Sequence, residues 1–412
     1  MRTPAFDRPR TLSSRPRSGW HRTLLAFLVT ALVAALTLSA APATAQAQTT
    51  LDPGQGELQA ALDAIIDTGV TGVQARIITE KGEHVVATSG VADITTGTPV
   101  DPEGHYRVGS NTKTFIATVV LQLVAEGKLS LADTVEDHLP GLIQGNGNDG
   151  GTITIRHLLQ HTSGIFNYTN DLFANLTPES FEELRYQSAD AEELVAIALR
   201  HQPDFAPGTR WSYSNTGYVV AGMIIEAVTG NTWDHEVEQR IIKPLGLSDT
   251  SIPGDDLTLP HSHARGYERF TPDAPPIDTT EFSHSWAGAA GAVISTTDDL
   301  SRFFRALLAG DLLPPEQLAE MRSTIRPAAA APVGSGYGMG IAKTPLSCGG
   351  EAWGHGGDTL GYHSREGFSA DGQRSVALSA TGSPTDEAGF VAAEQAFGGL
   401  VDDVLCAPAI QD

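Results

Sequence analysis

A chain of 412 residues is long enough for a large core built as two lobes, and 41% hydrophobic with 18% charged residues is the balance of an ordinary globular protein. A net charge of −23 excludes non-specific binding to nucleic acid or to an anionic membrane surface.

The first segment has a different character. Arg2, Arg8, Arg10, Arg15, Arg17 and Arg22 precede an apolar run from Leu24 to about Leu38, and Ala43-Thr44-Ala45 then supplies small residues that a signal peptidase accepts. The pattern predicts a signal peptide over residues 1–45 and a secreted, extracellular product. The apolar run is too short for a membrane anchor, and no second run long enough to span a bilayer follows. Cys348 and Cys406 are the only cysteines, and in an exported chain such a pair most simply forms one disulfide.

Residues Gly56 to Asp67 place Leu58, Leu62, Ile65 and Ile66 on one side of a helix. Two strand-like runs follow, Val73–Thr79 and His84–Ser89, joined by a turn around Gly82. From Ser110 the spacing of Phe115, Val119, Leu123 and Val124 predicts a helix with one buried face. Further helical runs cover Ala191–Leu199, Tyr218–Val228 and Asp298–Ala309, with Pro/Gly loops between them. Strand signals return over Tyr337–Ala342, Ala352–Phe368 and Ser375–Ala380, and a helix over Glu387–Leu405 closes the chain. The biased stretch Pro327–Pro332 reads as a loop. Strands at both ends with helices between them predict an α/β (α+β) fold, an antiparallel sheet flanked by helices and interrupted by a helical insertion. The sheet domain is expected over residues 50–117 and 333–408, and the mainly helical one over 118–332.

Three short segments carry chemistry. In Ser110-Asn111-Thr112-Lys113 the lysine lies three residues on, on the same face of a helix start, so its amine can reach the serine Oγ. The positive end of the helix dipole disfavours a charged amine there, which suits a base. The competing reading is a serine cap with a surface lysine, but the chain has only five lysines and a single Ser-x-x-Lys. Tyr213-Ser214-Asn215 offers a phenol that can hand a proton to a leaving group and an amide that can bond both substrate and lysine. Its competing reading is a helix cap beside a packed tyrosine. In Trp353-Gly354-His355-Gly356-Gly357-Asp358 the small residues of a strand edge would let an extended substrate lie against the backbone, and N–H groups there could complete an oxyanion hole with that of Ser110. A tight turn would use the same glycines.

In this order the three segments resemble the signature of the serine β-lactamase and penicillin-binding-protein superfamily, in the Tyr-Ser-Asn and His-Gly-Gly form of its class C-like branch. The runs Val120–Leu131, Leu158–Gly164, Tyr213–Glu226, Ser285–Ser295 and Leu346–Gly349 are most similar to the soluble secreted D-alanyl-D-alanine carboxypeptidases. The likeness extends from about Gly56 to Cys406. It implies the β-lactamase/transpeptidase-like fold, a Cys348–Cys406 disulfide, and Trp286 in the active-site cleft. It also implies an acyl-enzyme on Ser110, with Lys113 as base, Tyr213 as proton donor and the Ser110 and Asp358 N–H groups holding the oxyanion. Asn215, Trp286, His355, Gly356, Gly357 and Asp358 would bind substrate, and no cofactor or metal is called for. The expected function is a penicillin-sensitive D-alanyl-D-alanine carboxypeptidase acting on peptidoglycan stem peptides, with β-lactams as inhibitors or substrates. The alternatives are a class C-like β-lactamase, a D-aminopeptidase, D-peptidase or esterase, or a non-catalytic binder of β-lactams or muropeptides. A binder has no use for Ser110, Lys113 and Tyr213.

One departure bears on specificity. The carboxypeptidases place hydroxyl side chains at the positions of Gly356 and Asp358 and a cation at Ala342 to hold the substrate's terminal carboxylate. Here those groups are missing, Asp358 would repel a carboxylate if it faced the cleft, and Lys343, Arg365 or Thr359 would have to substitute. His157 and His161 are spaced for a metal pair on a helix but lack a third ligand. His261 and His263 read as loop histidines. No Gly-x-Ser-x-Gly elbow and no phosphate-binding glycine loop occurs.

Overall fold

The computed structural model describes residues 55–407 except Asn175, residues 272–273 and residues 328–332. The expected signal peptide and most of the Pro327–Pro332 loop lie outside the described residues.

A nine-stranded antiparallel sheet divides the molecule. Its strands are β1 (Gly72–Ile78), β2 (His84–Asp93), β3 (Thr98–Pro99), β4 (Gly336–Tyr337), β5 (Ala342–Pro345), β6 (Glu351–Gly354), β7 (Gly356–Thr359), β8 (Tyr362–Ser369) and β9 (Ser375–Thr381). They run in the order β4-β5-β6-β8-β9-β1-β2-β3, and β7 pairs with β8 in line with β6. Central β1 is buried at every position, with Ala75 opposite Leu378 on one side and Ala87 on the other. Two of those positions are polar and are satisfied where they lie: Gln74 Nε2 donates to the Gly104 carbonyl at 2.9 Å, and Arg76 pairs with Glu103 at 2.6 Å.

Each face of the sheet has its own core. Helices α1 (Gln55–Ile66) and α5 (Glu387–Cys406) cover the outer face, where Leu58, Leu62 and Ile65 meet Val376, Leu378, Phe397 and Leu400. The other face packs on the inserted segment through α2 (Thr112–Ala125), α3 (Asn215–Thr229) and α4 (Thr297–Ala309). There Phe304 stacks on Phe368 at 4.9 Å and Phe303 on Phe115 at 3.7 Å between ring centres. The result is a helix–sheet–helix sandwich.

Three expectations need correction. Helix α2 does not bury one face: all residues from Thr112 to Leu121 are buried, because the helix runs between the sheet and α3. The Tyr337–Ala342 run is not one strand. It splits into β4 and β5 around a turn whose Gly340 carbonyl accepts the Thr114 hydroxyl of α2 at 2.6 Å. The Ala352–Phe368 run divides into β6, β7 and β8, with a reversal at Leu360–Gly361.

Cys406, the last residue of α5, is bonded to Cys348 in the turn between β5 and β6, with Cα atoms 5.6 Å apart. The bond ties the closing helix to the sheet's far end across 58 residues. Replacing both cysteines by serine is expected to lower unfolding free energy by about 4 kcal/mol in the chain-entropy treatment, read from denaturant midpoints. A change below about 1 kcal/mol would show that α5 is held by packing alone.

Candidate active site

The chain enters the site through β-bridged Tyr106 and Arg107, makes a single 3-10 turn over Gly109–Asn111, and continues into α2. Gly109 adopts φ +53, and a Cβ there would lie 2.8 Å from the Asp358 nitrogen and 3.0 Å from its carbonyl oxygen. Gly357 is equally confined, since a Cβ on it would reach 1.9 Å from the Val108 oxygen and 2.9 Å from the Ser110 nitrogen. The two glycines thus let the nucleophile turn lie directly on β7, with the backbones of Ser110 and Asp358 side by side. Strand β5 stops opposite Gly354, and among the described residues β7 pairs only with β8, which leaves the other edge of β7 open beside Ser110.

Below the turn, strand β8 fixes it. Asn111 Nδ2 donates to Glu366 Oε2 at 2.6 Å and to Ser364 Oγ at 2.9 Å, and Ser364 Oγ donates to the Val108 carbonyl at 3.1 Å. Burial pushes the Glu366 carboxyl well above the usual carboxylate range.

Lys113 is fully buried, and its Nζ lies 3.0 Å from Ser110 Oγ, 2.7 Å from Asn215 Oδ1 and 2.7 Å from the Ala290 carbonyl oxygen. A serine cap with a surface lysine is excluded. No carboxylate pairs with it among the described residues, and desolvation alone holds its amine well below the ordinary lysine range. A neutral amine has two N–H bonds and one lone pair. The two carbonyl acceptors take the hydrogens, and the lone pair faces the Ser110 hydroxyl. The Tyr213 hydroxyl donates to Ser110 Oγ at 2.7 Å, and burial raises it well above the usual phenol value despite that bond, with the Asp358 charge adding to the rise. The group can therefore draw a proton from the serine on one side and deliver one on the other.

Ser214 stands at the N-cap of α3 but makes no side-chain cap bond, so this segment is not a conventional cap. Asn215 is buried, accepts from Lys113, and donates through Nδ2 to Thr169 Oγ1 at 3.3 Å. Trp286 is half-buried, with its indole N–H on the Gln187 carbonyl at 2.7 Å, and lies four residues before the Ala290 that accepts from Lys113.

A buried relay links the Tyr213–Asn215 segment to β7. The Ser214 N–H donates to His161 Nδ1 at 3.2 Å, so His161 carries its proton on Nε2, 3.1 Å from the Tyr337 hydroxyl. Tyr337 then donates to His355 Nε2 at 2.9 Å, and His355 Nδ1–H donates to the Gly356 carbonyl at 2.5 Å. Burial pushes His355 down to about 3 and holds His161 well below the ordinary imidazole range. Both rings are neutral. His161 holds a left-handed backbone at φ 58, a strain of about 1–2 kcal/mol for a residue with a Cβ. His157 instead accepts the Thr154 N–H at its own helix start, so the expected pair is divided between two tasks.

The carboxylate-reading candidates are all engaged. Lys343 Nζ lies on Glu351 at 2.8 Å, and Thr359 Oγ1 is 3.3 Å from His284 Nε2. Arg365 uses all five of its N–H bonds: on both oxygens of Glu394, on Asp358 Oδ1 at 3.0 Å, on the Ser364 carbonyl at 2.7 Å and on the Gly357 carbonyl at 3.3 Å. Asp358 also accepts from His363 Nδ1 at 2.8 Å. Although burial works against its charge, Arg365 and His363 hold its carboxyl well below the usual range.

The profile of the family described as Beta-lactamase matches residues 57–399. The chain belongs to the Beta-lactamase family. It is a serine-type hydrolase of the β-lactamase/transpeptidase-like superfamily. Penicillin-binding protein 4 of Amycolatopsis lactamdurans is 33% identical over 60% of this chain and 61% of its own length. Penicillin-binding protein 4* of Bacillus subtilis is 29% identical over 66% and 60%. The chain thus spans about three-fifths of these two relatives. Among solved structures, a D-stereospecific amidohydrolase from Streptomyces is 43% identical with a TM-score of 0.77, covering 83% of this chain and 98% of that one. The D-amino acid amidase of Ochrobactrum anthropi, solved with D-phenylalanine, is 30% identical with a TM-score of 0.73, covering 85% and 98%.

Of the residues named from sequence, Ser110, Lys113, Tyr213 and Asn215 form one hydrogen-bonded group, and Gly356, Gly357 and Asp358 lie against it. His355 reaches the group only through the relay. The site also draws on His161, Tyr337, Ser364, Arg365 and Glu366, whose strand and turn patterns carry no mark of such a role.

The raised phenol gives a pH test. Tyr213 must be protonated to act as an acid, and a raised value keeps it so beyond the ordinary phenol range of about 10. The alkaline limb of kcat is therefore expected to stay flat up to about pH 10.5, measured where circular dichroism shows the fold intact. A fall centred near pH 10 would contradict the geometry.

Proposed function

We propose that this protein is an exported D-stereospecific amide hydrolase that works through an acyl-enzyme on Ser110 and does not require a terminal carboxylate on its substrate. The observation that carries the reading is the complete engagement of Arg365, together with the Lys343–Glu351 pair. Neither of these two cations is left with the geometry to hold a carboxylate. Asp358, bonded by Arg365 and His363, adds an exposed negative charge where a carboxylate would have to sit. The two amide-cleaving neighbours, similar over nearly their whole lengths, support the same reading more strongly than the partly covered penicillin-binding relatives support a carboxypeptidase.

In this mechanism neutral Lys113 takes the Ser110 proton as Oγ attacks the amide carbonyl. The N–H groups of Ser110 and Asp358 hold the oxyanion, and Tyr213 protonates the departing amine. Water then attacks the ester, its proton passing to the Tyr213 phenolate, and Lys113 returns its proton to Ser110 Oγ as the acid leaves. Removing the Ser110 proton needs no anion nearby, because burial has already lowered the amine. Export is supported by the arginine-rich start, the apolar run and Ala43-Thr44-Ala45, and a disulfide suits an oxidising compartment.

The test compares an acyl-D-Ala-D-Ala peptide, its C-terminal amide, and D-phenylalanine amide. Both amides are expected to be cleaved with kcat/KM at least about 10-fold above the free acid, the scale of one charge-assisted contact. Ser110→Ala should abolish all turnover. A free acid cleaved faster than its own amide would establish carboxylate recognition and restore the carboxypeptidase reading.

A further inference from the structure

Asp358 stands where the carboxypeptidases that this sequence resembles place a hydroxyl, and its carboxylate is only half used. Oδ1 takes both of its partners, His363 Nδ1 at 2.8 Å and Arg365 Nη2 at 3.0 Å, while Oδ2 has no hydrogen-bond partner among the described residues. Both partners belong to β8, on the paired side of β7. They draw Oδ1 that way and leave Oδ2 towards the open edge, with the side chain 37% exposed. At the neighbouring position the Arg365 side chain takes up the room, since a Cβ on Gly356 would lie 3.2 Å from its Cδ and 3.3 Å from Nη1. Ala342 carries no charge, and Lys343 beside it is held by Glu351 at 2.8 Å. Arg365 meets two carboxylates, Asp358 and Glu394, so this group of charges keeps a net negative balance. The Asp358 charge is also felt by the Tyr213 phenol, the group that protonates the departing amine.

We infer that the free oxygen of Asp358 binds a cationic group on the departing part of the substrate, so that the enzyme favours D-acyl amides and peptides whose leaving amine carries an ammonium or guanidinium. This rests on the proposed amide-hydrolase reading and adds to it a leaving-group preference. The Ser110 and Asp358 N–H groups fix the carbonyl oxygen, and Tyr213 meets the nitrogen that departs. In the carboxypeptidases the side chains at the positions of Ala342, Gly356 and Asp358 hold the carboxylate of that departing residue. Here the cation is replaced by alanine and one hydroxyl by a carboxylate, which reverses the sign of the site. A basic group close to the scissile nitrogen lies where that carboxylate would, and it meets Oδ2 without displacing any bond that Asp358 already makes. An anion in the same place meets like charge. His363 and Arg365, which hold Oδ1, are positioning residues for this contact. The acyl half of the substrate takes no part in it.

The experiment uses the full chain after export, at neutral pH, and three substrates that share one acyl group and differ in the charge of the leaving part. They are D-phenylalanine 2-aminoethylamide, D-phenylalanine 2-hydroxyethylamide and D-phenylalanylglycine, with D-phenylalanine amide as the reference. The native enzyme is expected to cleave the aminoethylamide with kcat/KM about 10-fold above the hydroxyethylamide, mainly through KM, and the glycine dipeptide most slowly. Asp358→Asn is expected to lower the aminoethyl-to-hydroxyethyl ratio at least about 5-fold. Comparing the ratio between the two enzymes cancels both the intrinsic difference of the two amines and any general loss of activity. If the ratio is the same in the variant, Asp358 is only the ion-pair partner of Arg365, and the inference is overturned. Equal rates for the two amides on the native enzyme overturn it without any variant, as does cleavage of the reference amide but of none of the three. A glycine dipeptide cleaved faster than the hydroxyethylamide overturns it as well, because the site then reads an anion. Failure to cleave the reference amide is a different result, since it defeats the amide-hydrolase reading itself.

Discussion

The architecture depends on keeping one amine out of water. Lys113 has no water-exposed surface and no carboxylate partner among the described residues, so the charged form is penalised and the neutral form is held ready. That condition explains why α2 is buried almost all round, why the Ala290 carbonyl is turned inward, and why Asn215 presents its oxygen to the lysine. An amphipathic surface helix could not provide it. The desolvation that makes a base of Lys113 also keeps the Tyr213 phenol protonated, so one physical cause gives the two groups opposite roles.

The second constraint is the contact between a tight turn and a sheet edge. Gly109 and Gly357 allow Ser110 and Asp358 to lie against one another, and Ser364, Glu366 and Asn111 keep the turn from shifting beneath them. The His161–Tyr337–His355 relay joins this edge to the Tyr213–Asn215 segment, with both histidines neutral and a single consistent direction of donation. The nucleophile, the acid and the oxyanion strand are thereby linked by buried hydrogen bonds, which are more costly to break than exposed ones. The ion pairs of Arg365, Asp358 and Glu394 lie at the rim, where they govern which charges can approach.

Much of this was legible in the sequence because periodicity and rare residues carried it. The helices at 55–66, 297–309 and 387–406 and the strands at 72–78 and 375–381 lie within two residues of their predicted ends, while β2 runs beyond Ser89 to Asp93. Ser110, Lys113, Tyr213 and Asn215 stand out because the single Ser-x-x-Lys, the Tyr-Ser-Asn and the His-Gly-Gly follow one another in the order that resembles the superfamily signature, which no one of the segments carries alone. The partners were not legible for a physical reason. Tyr337, Ser364 and Glu366 act through cross-strand and long-range contacts, and nothing local distinguishes them from ordinary strand residues. Lys343, Arg365 and Thr359 were named as possible carboxylate holders, but only their hydrogen bonds show that each is otherwise engaged. The split of 336–345 into two strands was also hidden, since it follows from Gly340 packing on α2 and not from the strand residues themselves.

The neutral buried lysine can be observed directly, and the composition makes it practical. With only five lysines in the chain, carbon-13 labelling at the ε position gives a spectrum in which each can be followed through a pH titration. The account predicts that the resonance removed by Lys113→Met titrates well below the ordinary lysine range. If that resonance titrates within the ordinary range, Lys113 is charged at neutral pH, and the mechanism built on its lone pair is wrong.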